Sequence, residues 1–107
     1  MSKLNWNREF ALEQAADDLE LLQELLDIFK DSLQSDITLM EQGLAEKSAE
    51  KVCGAAHSMK GAAASLGIQG INDVAYIIEQ DSREGGLGVA EENLDALKNL
   101  LSELKKL

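Results

Sequence analysis

The sequence predicts an all-α domain, folded as an antiparallel up-down-up-down four-helix bundle with a short N-terminal capping helix. The chain of 107 residues has no proline, and Leu and Ala supply 31 residues against 10 from Val, Ile and Thr. This bias favours helices over strands. Apolar residues also recur every three or four positions through four long segments, which is typical of helices with one buried face. The length suits a single domain over residues 1–107.

A short amphipathic segment over residues 7–16 precedes the bundle, and together with Trp6 it would cover one end. The first bundle helix follows and ends near Gly43. Asp17 and Glu20 have the spacing of a capping box, in which side chains satisfy the free backbone N–H groups of the first turn. The apolar positions of this helix are Leu19, Leu22, Leu26, Phe29, Leu33, Ile37, Met40 and Leu44.

Three more bundle helices follow, and glycines separate them. The second begins at Ser48, a residue type that caps helix N-termini, and stops at Gly67, which suits the left-handed backbone of a helix C-terminus. The third covers about residues 68–82 and ends at the pair 85–86. The fourth begins after Gly88. Because the connections are this short, consecutive helices are expected to run antiparallel.

Charge and composition exclude several classes of function. Twenty acidic against ten basic residues give a formal net charge of −10, so nucleic acids and anionic membranes are not expected as partners. Cys53 is the single cysteine, which excludes a disulfide framework and a cysteine-based zinc site. No apolar run approaches the roughly 18 residues of a membrane span, and no signal peptide opens the chain. We therefore expect a soluble protein of the cytoplasm.

The outer face of the second bundle helix differs from an ordinary solvated face. With about 100° between successive residues, His57 points away from the apolar stripe of this helix. Cys53 and Gly54 lie one turn before it, and Lys60 and Gly61 lie one turn after it. Each glycine inside a helix lowers its stability by roughly 1 kcal/mol relative to alanine, so two on one face indicate a compensating purpose. Missing side chains there would expose the imidazole and admit the backbone of another protein.

Structural explanations of the same residues stay open at this point. A lone histidine is usually idle or structural, and small residues also permit close packing between helices. Lys60 would also serve as a solubilising surface lysine. An idle surface histidine, however, does not account for the two glycines beside it. The combined pattern therefore favours a functional surface.

Residues 57–67 closely resemble the signature of histidine-containing phosphotransfer (HPt) domains. The stretch reads His-Ser-Met-Lys-Gly-Ala-Ala-Ala-Ser-Leu-Gly. The family pattern is His, any residue, a hydrophobic residue, Lys, Gly, then small residues and a closing Gly. Residues 18–29 are similar to the first long helix of that family, and the last two helices fall where the family has them. The resemblance covers nearly the whole chain.

The resemblance implies a phosphorelay intermediate. His57 occupies the position of the histidine that accepts a phosphoryl group from a receiver-domain aspartate and passes it to another receiver. Lys60 would stabilise the charge of the phosphoryl group, and Gly61 would give the receiver clearance; the helical wheel indicates the same for Gly54. Receiver domains bring their own Mg²⁺, so the resemblance implies no cofactor, no metal site and no kinase active site in this chain.

Two further features are less specific. Some HPt relatives have a polar acceptor on the following helix that binds the other ring N–H, and Glu79 matches that position. A plain surface glutamate is the alternative, and neighbouring Gln80 is a second candidate for the role. Leu21, Ile28 and Leu39 lie off the core stripe. They would either line a docking surface beside the histidine or simply widen the buried stripe.

Three classes of function remain in view. The first is a phosphocarrier whose partners are response-regulator receiver domains or a hybrid histidine kinase. The second is a non-catalytic module that binds such partners without accepting phosphate. The third is a metal-carrying bundle enzyme, but di-metal bundles need repeated Glu-x-x-His pairs and this chain has one histidine. We expect a monomeric, free-standing carrier, although a domain of a larger kinase would show the same pattern.

Overall fold

Residues 3–107, which the computed structural model describes, form five α-helices and no β-strand. The all-α prediction is therefore confirmed. The helices are α1 (Arg8–Gln14), α2 (Leu19–Ala45), α3 (Ala49–Ser65), α4 (Gln69–Arg83) and α5 (Gly88–Lys105). None of these helices combines the length and the apolar content needed to span a membrane.

The four long helices close into a bundle, because α2 and α4 each pack against both α3 and α5. Three residues join α2 to α3 and α3 to α4, and four join α4 to α5. Links of this length between packed helices reverse the chain direction, so neighbouring helices are antiparallel. The apolar stripes meet in one core, where burial of each large side chain stabilises the fold by roughly 1.5–3 kcal/mol. Its fully buried members include Leu33, Met40, Met59, Ile78 and Leu97.

The start of α2 differs from the prediction by one residue. The side chain of Asp18, and not that of Asp17, caps the helix, accepting hydrogen bonds from the backbone N–H groups of Glu20 and Leu21 at 2.9 and 3.2 Å. Ala16 and Asp17 both have positive φ, at 55° and 61°. The extended backbone that an N-cap needs therefore first occurs at Asp18.

At the N-terminal end, helix α1 is shorter than predicted and the first apolar position of α2 is exposed rather than buried. Helix α1 covers Arg8–Gln14 rather than residues 7–16, since Asn7 is its N-cap. Leu19, in the first turn of α2 at the end of the bundle, is exposed. The buried face of α2 begins at Leu22. The predicted apolar stripe is therefore wrong at its first position.

The link between α3 and α4 is held by residues that precede α1. Gly67 has a φ of +69°, which confirms the left-handed backbone predicted for the end of α3. Its carbonyl accepts a hydrogen bond from the Asn7 N–H at 2.9 Å. The indole N–H of Trp6 donates to the carbonyl of Leu66 at 3.0 Å. The N-terminal segment thus fixes the turn that places α4 against α3.

Candidate functional site

His57 projects into solvent from the middle of α3. Its side chain is 71% exposed, whereas Ala56 and Met59 on the same helix are fully buried. Helix geometry explains this difference in exposure, since successive residues lie about 100° apart around the helix axis and His57 falls outside the buried stripe. Either ring nitrogen of a neutral histidine can donate or accept a hydrogen bond. Which nitrogen of His57 carries the proton therefore depends on the group that is hydrogen-bonded to the ring.

One nitrogen of this ring is bound by Glu79 of α4. Nδ1 of His57 lies 2.5 Å from Oε2 of Glu79, a side chain that is only 1% exposed. An ionised carboxylate can only accept hydrogen bonds, so Nδ1 carries the proton. In the neutral ring the lone pair then lies on Nε2, the nitrogen that Glu79 does not bind. Glu79 is therefore no surface glutamate, and neighbouring Gln80 is exposed.

Two cations share the buried carboxylate with the imidazole. Nζ of Lys60 lies 2.5 Å from Oε1 of Glu79, and Nη2 of Arg83 lies 3.3 Å from Oε2. The hydrogen bond from Lys60 is the main reason why the pKa of Glu79 is lower than usual. Burial opposes this shift, while the hydrogen bond from His57 and the two positive charges add to it. The carboxylate is therefore ionised near neutral pH, and it joins α3 to α4.

Lys60 makes further contacts with α4. Its side chain is 27% exposed, and its ammonium lies 5.9 Å from the centroid of the Tyr76 ring, which is a cation–π distance. The side-chain amide of Asn72 on α4 donates a hydrogen bond to the backbone carbonyl of Lys60 at 3.1 Å. Lys60 thus has a defined place one turn after the histidine.

The glycines on either side of His57 leave open space. Apart from its chain neighbours and the adjacent backbone of α3, a Cβ atom placed on Gly54 or Gly61 would meet no heavy atom of the described residues within 4 Å. Close packing between helices, the structural explanation for these glycines, is therefore excluded. A groove of about 600 Å³ lies between α3 and α4 on the Gly54 side. The residues lining this groove include Glu50, Cys53, His57, Glu79 and Arg83.

A family model described as Hpt domain matches residues 24–107, which include most of α2 and all of α3, α4 and α5. The chain belongs to the Hpt family. Hpt domains are phosphocarrier modules rather than kinases, and they act together with receiver domains or kinases. The match confirms the resemblance seen in the sequence. No curated protein and no solved structure matches the chain.

Three large apolar side chains of α2 are exposed in this Hpt domain. Leu21, Ile28 and Leu39 are all exposed, Ile28 to 65%, so they do not widen the buried stripe. Next to the histidine, the hydroxyl of Ser58 donates to Asp36 of α2 at 2.9 Å. Burial raises the pKa of Asp36, and this hydrogen bond partly offsets the effect. On the α2 side, the residue after His57 thus contacts Asp36, and on the α4 side the histidine borders the charged groove.

Arg83 and Tyr76 belong to the site but are not evident from the sequence pattern. Arg83 follows Glu79 by four residues, the spacing of an ion pair within a helix, and that spacing is the available signal. Nothing in the pattern singles out Tyr76. Cys53 has its sulfur 4.0 Å from the backbone carbonyl of Glu79 and lines the groove. Across residues 3–107, no group of three or more His, Cys, Asp or Glu side chains is placed to hold a metal ion.

Replacing Glu79 with Gln is expected to weaken the dependence of the free energy of unfolding on pH in the acidic range. Because the pKa of Glu79 is lowered by folding, its ionised form stabilises the fold above the ordinary pKa of 4.5, and this contribution is lost as the pH falls below that value. The variant should be less stable than the wild type by about 1–3 kcal/mol at neutral pH. The difference should shrink as the pH falls below 4.5 and the carboxylate of the folded state takes up a proton.

Urea unfolding followed by circular dichroism at a series of pH values measures this difference. Glu92→Gln is the matched control, because Glu92 lies on the exposed surface of α5. It should follow the wild type at every pH. A Glu79→Gln profile parallel to that of the wild type would contradict the prediction.

Proposed function

We propose that this Hpt chain is a histidine phosphotransfer protein of a two-component phosphorelay. His57 accepts a phosphoryl group from the aspartate of one receiver domain and passes it to the aspartate of another. The observation that carries the proposal is the state of the His57 ring. It is 71% exposed, its Nδ1 is bound to buried Glu79, and its Nε2 is left for a partner.

Transfer to His57 forms one bond and breaks another. The lone pair of Nε2 attacks the phosphorus of the aspartyl phosphate, so that an N–P bond forms. The P–O bond to the aspartate breaks, and its electron pair leaves with the aspartate carboxylate. Nδ1 keeps its proton, so the phosphorylated ring carries a positive charge that the Glu79 carboxylate stabilises. Transfer to the second receiver is the reverse reaction with a different aspartate.

Lys60 supports the proposal through its charge and its place one turn after His57. Phosphoryl transfer gains most from positioning and from stabilisation of charge. An ammonium beside the ring supplies that charge without any proton transfer. Lys60 is bound to Oε1 of Glu79, and its flexible four-carbon chain lets the ammonium turn toward phosphoryl oxygens on Nε2.

The partners in this proposal are receiver domains of response regulators or a hybrid histidine kinase, and the chain has no kinase active site. It holds no cofactor and no metal of its own, since Mg²⁺ would be bound by the receiver. Exposed Leu21, Ile28 and Leu39 on α2 support an apolar docking surface, and Gly54 and Gly61 support clearance for the partner. We further propose a monomer of the cytoplasm that binds neither nucleic acid nor membrane.

A module that binds receivers without accepting phosphate is the second candidate. The exposed apolar flank of α2 favours it, because such a surface binds a partner whether or not phosphate is transferred. This candidate needs neither a free Nε2 on His57 nor a cation beside the ring. Partner binding that survives His57→Ala, in a chain that never takes up phosphate, would favour this candidate over the carrier.

His57→Gln tests the acceptor directly. Mixed with a phosphorylated receiver, the wild-type chain should take up phosphate that is acid-labile and alkali-stable, as expected for phosphohistidine. The variant should take up none. It should keep the helical circular dichroism of the wild type, because the exposed ring contributes little to the core. Radiolabel transfer and intact mass spectrometry measure the uptake, and undiminished labelling of the variant would refute the proposal.

Lys60→Met, which keeps most of the unbranched side chain but removes its charge, should slow transfer by roughly tenfold or more without abolishing it. Single-turnover quench-flow with a phosphorylated receiver measures the rate. Lys51→Met is the matched control, since Lys51 lies on the same helix and forms an ion pair with Glu46 at 2.7 Å, away from the histidine. Equal rates for the two variants would remove Lys60 from the mechanism.

Gly61→Leu separates access of the partner from reactivity of the ring. The open space at Gly61 predicts a folded variant of equal or greater stability, since leucine favours the helix by up to about 1 kcal/mol over glycine. Transfer from a receiver should slow by roughly tenfold or more, because the added side chain stands where the receiver must approach. Phosphoramidate, a small phosphoryl donor that needs no docking surface, should label both proteins at the same rate.

Gly88→Leu is the control for a large side chain elsewhere, because Gly88 also faces open space at the start of α5. Its transfer rate should equal that of the wild type. Receiver-dependent transfer that is unaffected by Gly61→Leu would contradict the proposed approach over this glycine.

A further inference from the structure

A carboxylate of α2 lies beside the residue that follows His57. Oδ2 of Asp36 accepts a hydrogen bond from the hydroxyl of Ser58 at 2.9 Å. Asp36 is half-buried, whereas Ser58 is exposed. Among the described residues, no Lys, Arg or His nitrogen forms an ion pair with this carboxylate. Asp36 therefore differs from Glu79, whose charge is balanced by two cations.

The second oxygen of Asp36 is available to another molecule. Within the described chain no donor is hydrogen-bonded to Oδ1, and this atom keeps some contact with solvent. Burial raises the pKa of Asp36, and the hydrogen bond from the Ser58 hydroxyl lowers it by a smaller amount. The carboxylate is thus partly dehydrated, and it lacks the counter-charge that usually accompanies such a group.

A second groove, lined mostly by apolar side chains, lies between α2 and α3 and has a volume of about 310 Å³. Ser32 of α2 and Ala62 of α3 are among the residues that line it. Ser32 precedes Asp36 by four residues, and Ala62 follows Ser58 by four. Residues four apart lie on the same face of a helix, so the carboxylate stands one turn beyond the groove, at the end nearest the histidine. An occupant that matches this surface has apolar side chains and a positive charge.

We propose that Asp36 is a docking anchor that binds a Lys or Arg side chain of the receiver domain. The cation of the receiver pairs with Oδ1, while the Ser58 hydroxyl keeps its hydrogen bond to Oδ2. Because Ser58 directly follows His57, this contact lies where a receiver must approach to reach the ring. The pair loses water when the two surfaces meet, which strengthens the attraction between its charges. The anchor thus selects receivers that carry the cation, and it rests on the proposed function.

Asp36→Asn, Asp31→Asn and Ser58→Ala test the anchor in the full chain. Asparagine keeps the shape of the side chain and an oxygen that accepts from Ser58, but it removes the charge. Asp31 is the matched control, because it is exposed on the same helix and lies about 140° from Asp36 around the helix axis. Ser58→Ala removes the hydrogen bond between α2 and α3 and leaves the charge of Asp36 in place.

The measured quantity is the concentration of phosphorylated receiver that gives half of the maximal transfer rate, for a receiver that labels the wild type. Asp36→Asn should raise this concentration by roughly three- to tenfold and leave the maximal rate unchanged. Asp31→Asn and Ser58→Ala should each stay within about twofold of the wild type. Equal values for Asp36→Asn and Asp31→Asn would overturn the proposal. Equal increases for Asp36→Asn and Ser58→Ala would also overturn it, because the effect would then come from the link between the helices.

Binding without transfer gives a second readout that a structural role would not move. Titration calorimetry with the unphosphorylated receiver should show a loss of affinity in Asp36→Asn of roughly three- to tenfold. The loss should shrink as the salt concentration is raised from about 0.05 to 0.5 M, because salt screens an ion pair. The same loss at both salt concentrations would contradict the proposal. Failure of the phosphorelay function is distinct, since it would appear as a wild type that binds receivers but takes up no phosphate.

Discussion

A carboxylate buried between α3 and α4 is the group on which the site of this Hpt chain depends. An ionised Glu79 with 1% exposure would destabilise the fold by several kcal/mol if it had no partners. Lys60 and Arg83 supply counter-charges, and His57 supplies an N–H. The Glu79 carboxylate, which would destabilise the fold without partners, therefore links α3 and α4 beside the histidine. The ring is oriented because the carboxylate is ionised, and the carboxylate is ionised chiefly because Lys60 binds it.

This arrangement reconciles two conflicting requirements on the imidazole. In the proposed function the ring must be exposed to reach a phosphoryl group on a partner, yet an exposed side chain samples several rotamers and loses its orientation. In this protein Nδ1 is anchored by a buried group, so the ring of His57 has a fixed direction while most of its surface stays in solvent. Gly54 and Gly61 keep the neighbouring turns clear. Their weak helix propensity is tolerated because the opposite face of α3 is fully packed in the core.

Features that depend on a single helix could be predicted from the sequence, and features that depend on contact between helices could not. The outward direction of His57 follows from the periodicity of α3 alone. Glu79 stayed undecided because a helical wheel puts it at the edge of the buried face, and its depth depends on how closely α4 approaches α3. Arg83 can be assigned to the site only once Glu79 is known to be buried, since its contact with the site is the ion pair with that carboxylate. The cap at Asp18 rather than Asp17 depends on two positive φ angles that residue spacing does not encode.

The net negative charge of the chain and the charges next to His57 act on an approaching anion over different distances. Only one of the 20 acidic residues, Glu50, lies within α3, and the site carries Lys60 and Arg83 in direct contact with Glu79. At physiological salt, exposed charges more than about 8 Å apart are largely screened from each other. In the proposed transfer, an incoming phosphoryl group would therefore experience mainly the charges beside the ring. The net charge acts at the level of the whole surface, where it disfavours nucleic acids and other polyanions. The net charge of −10 is therefore compatible with the proposed transfer, because cations beside the ring act on the phosphoryl group at short range.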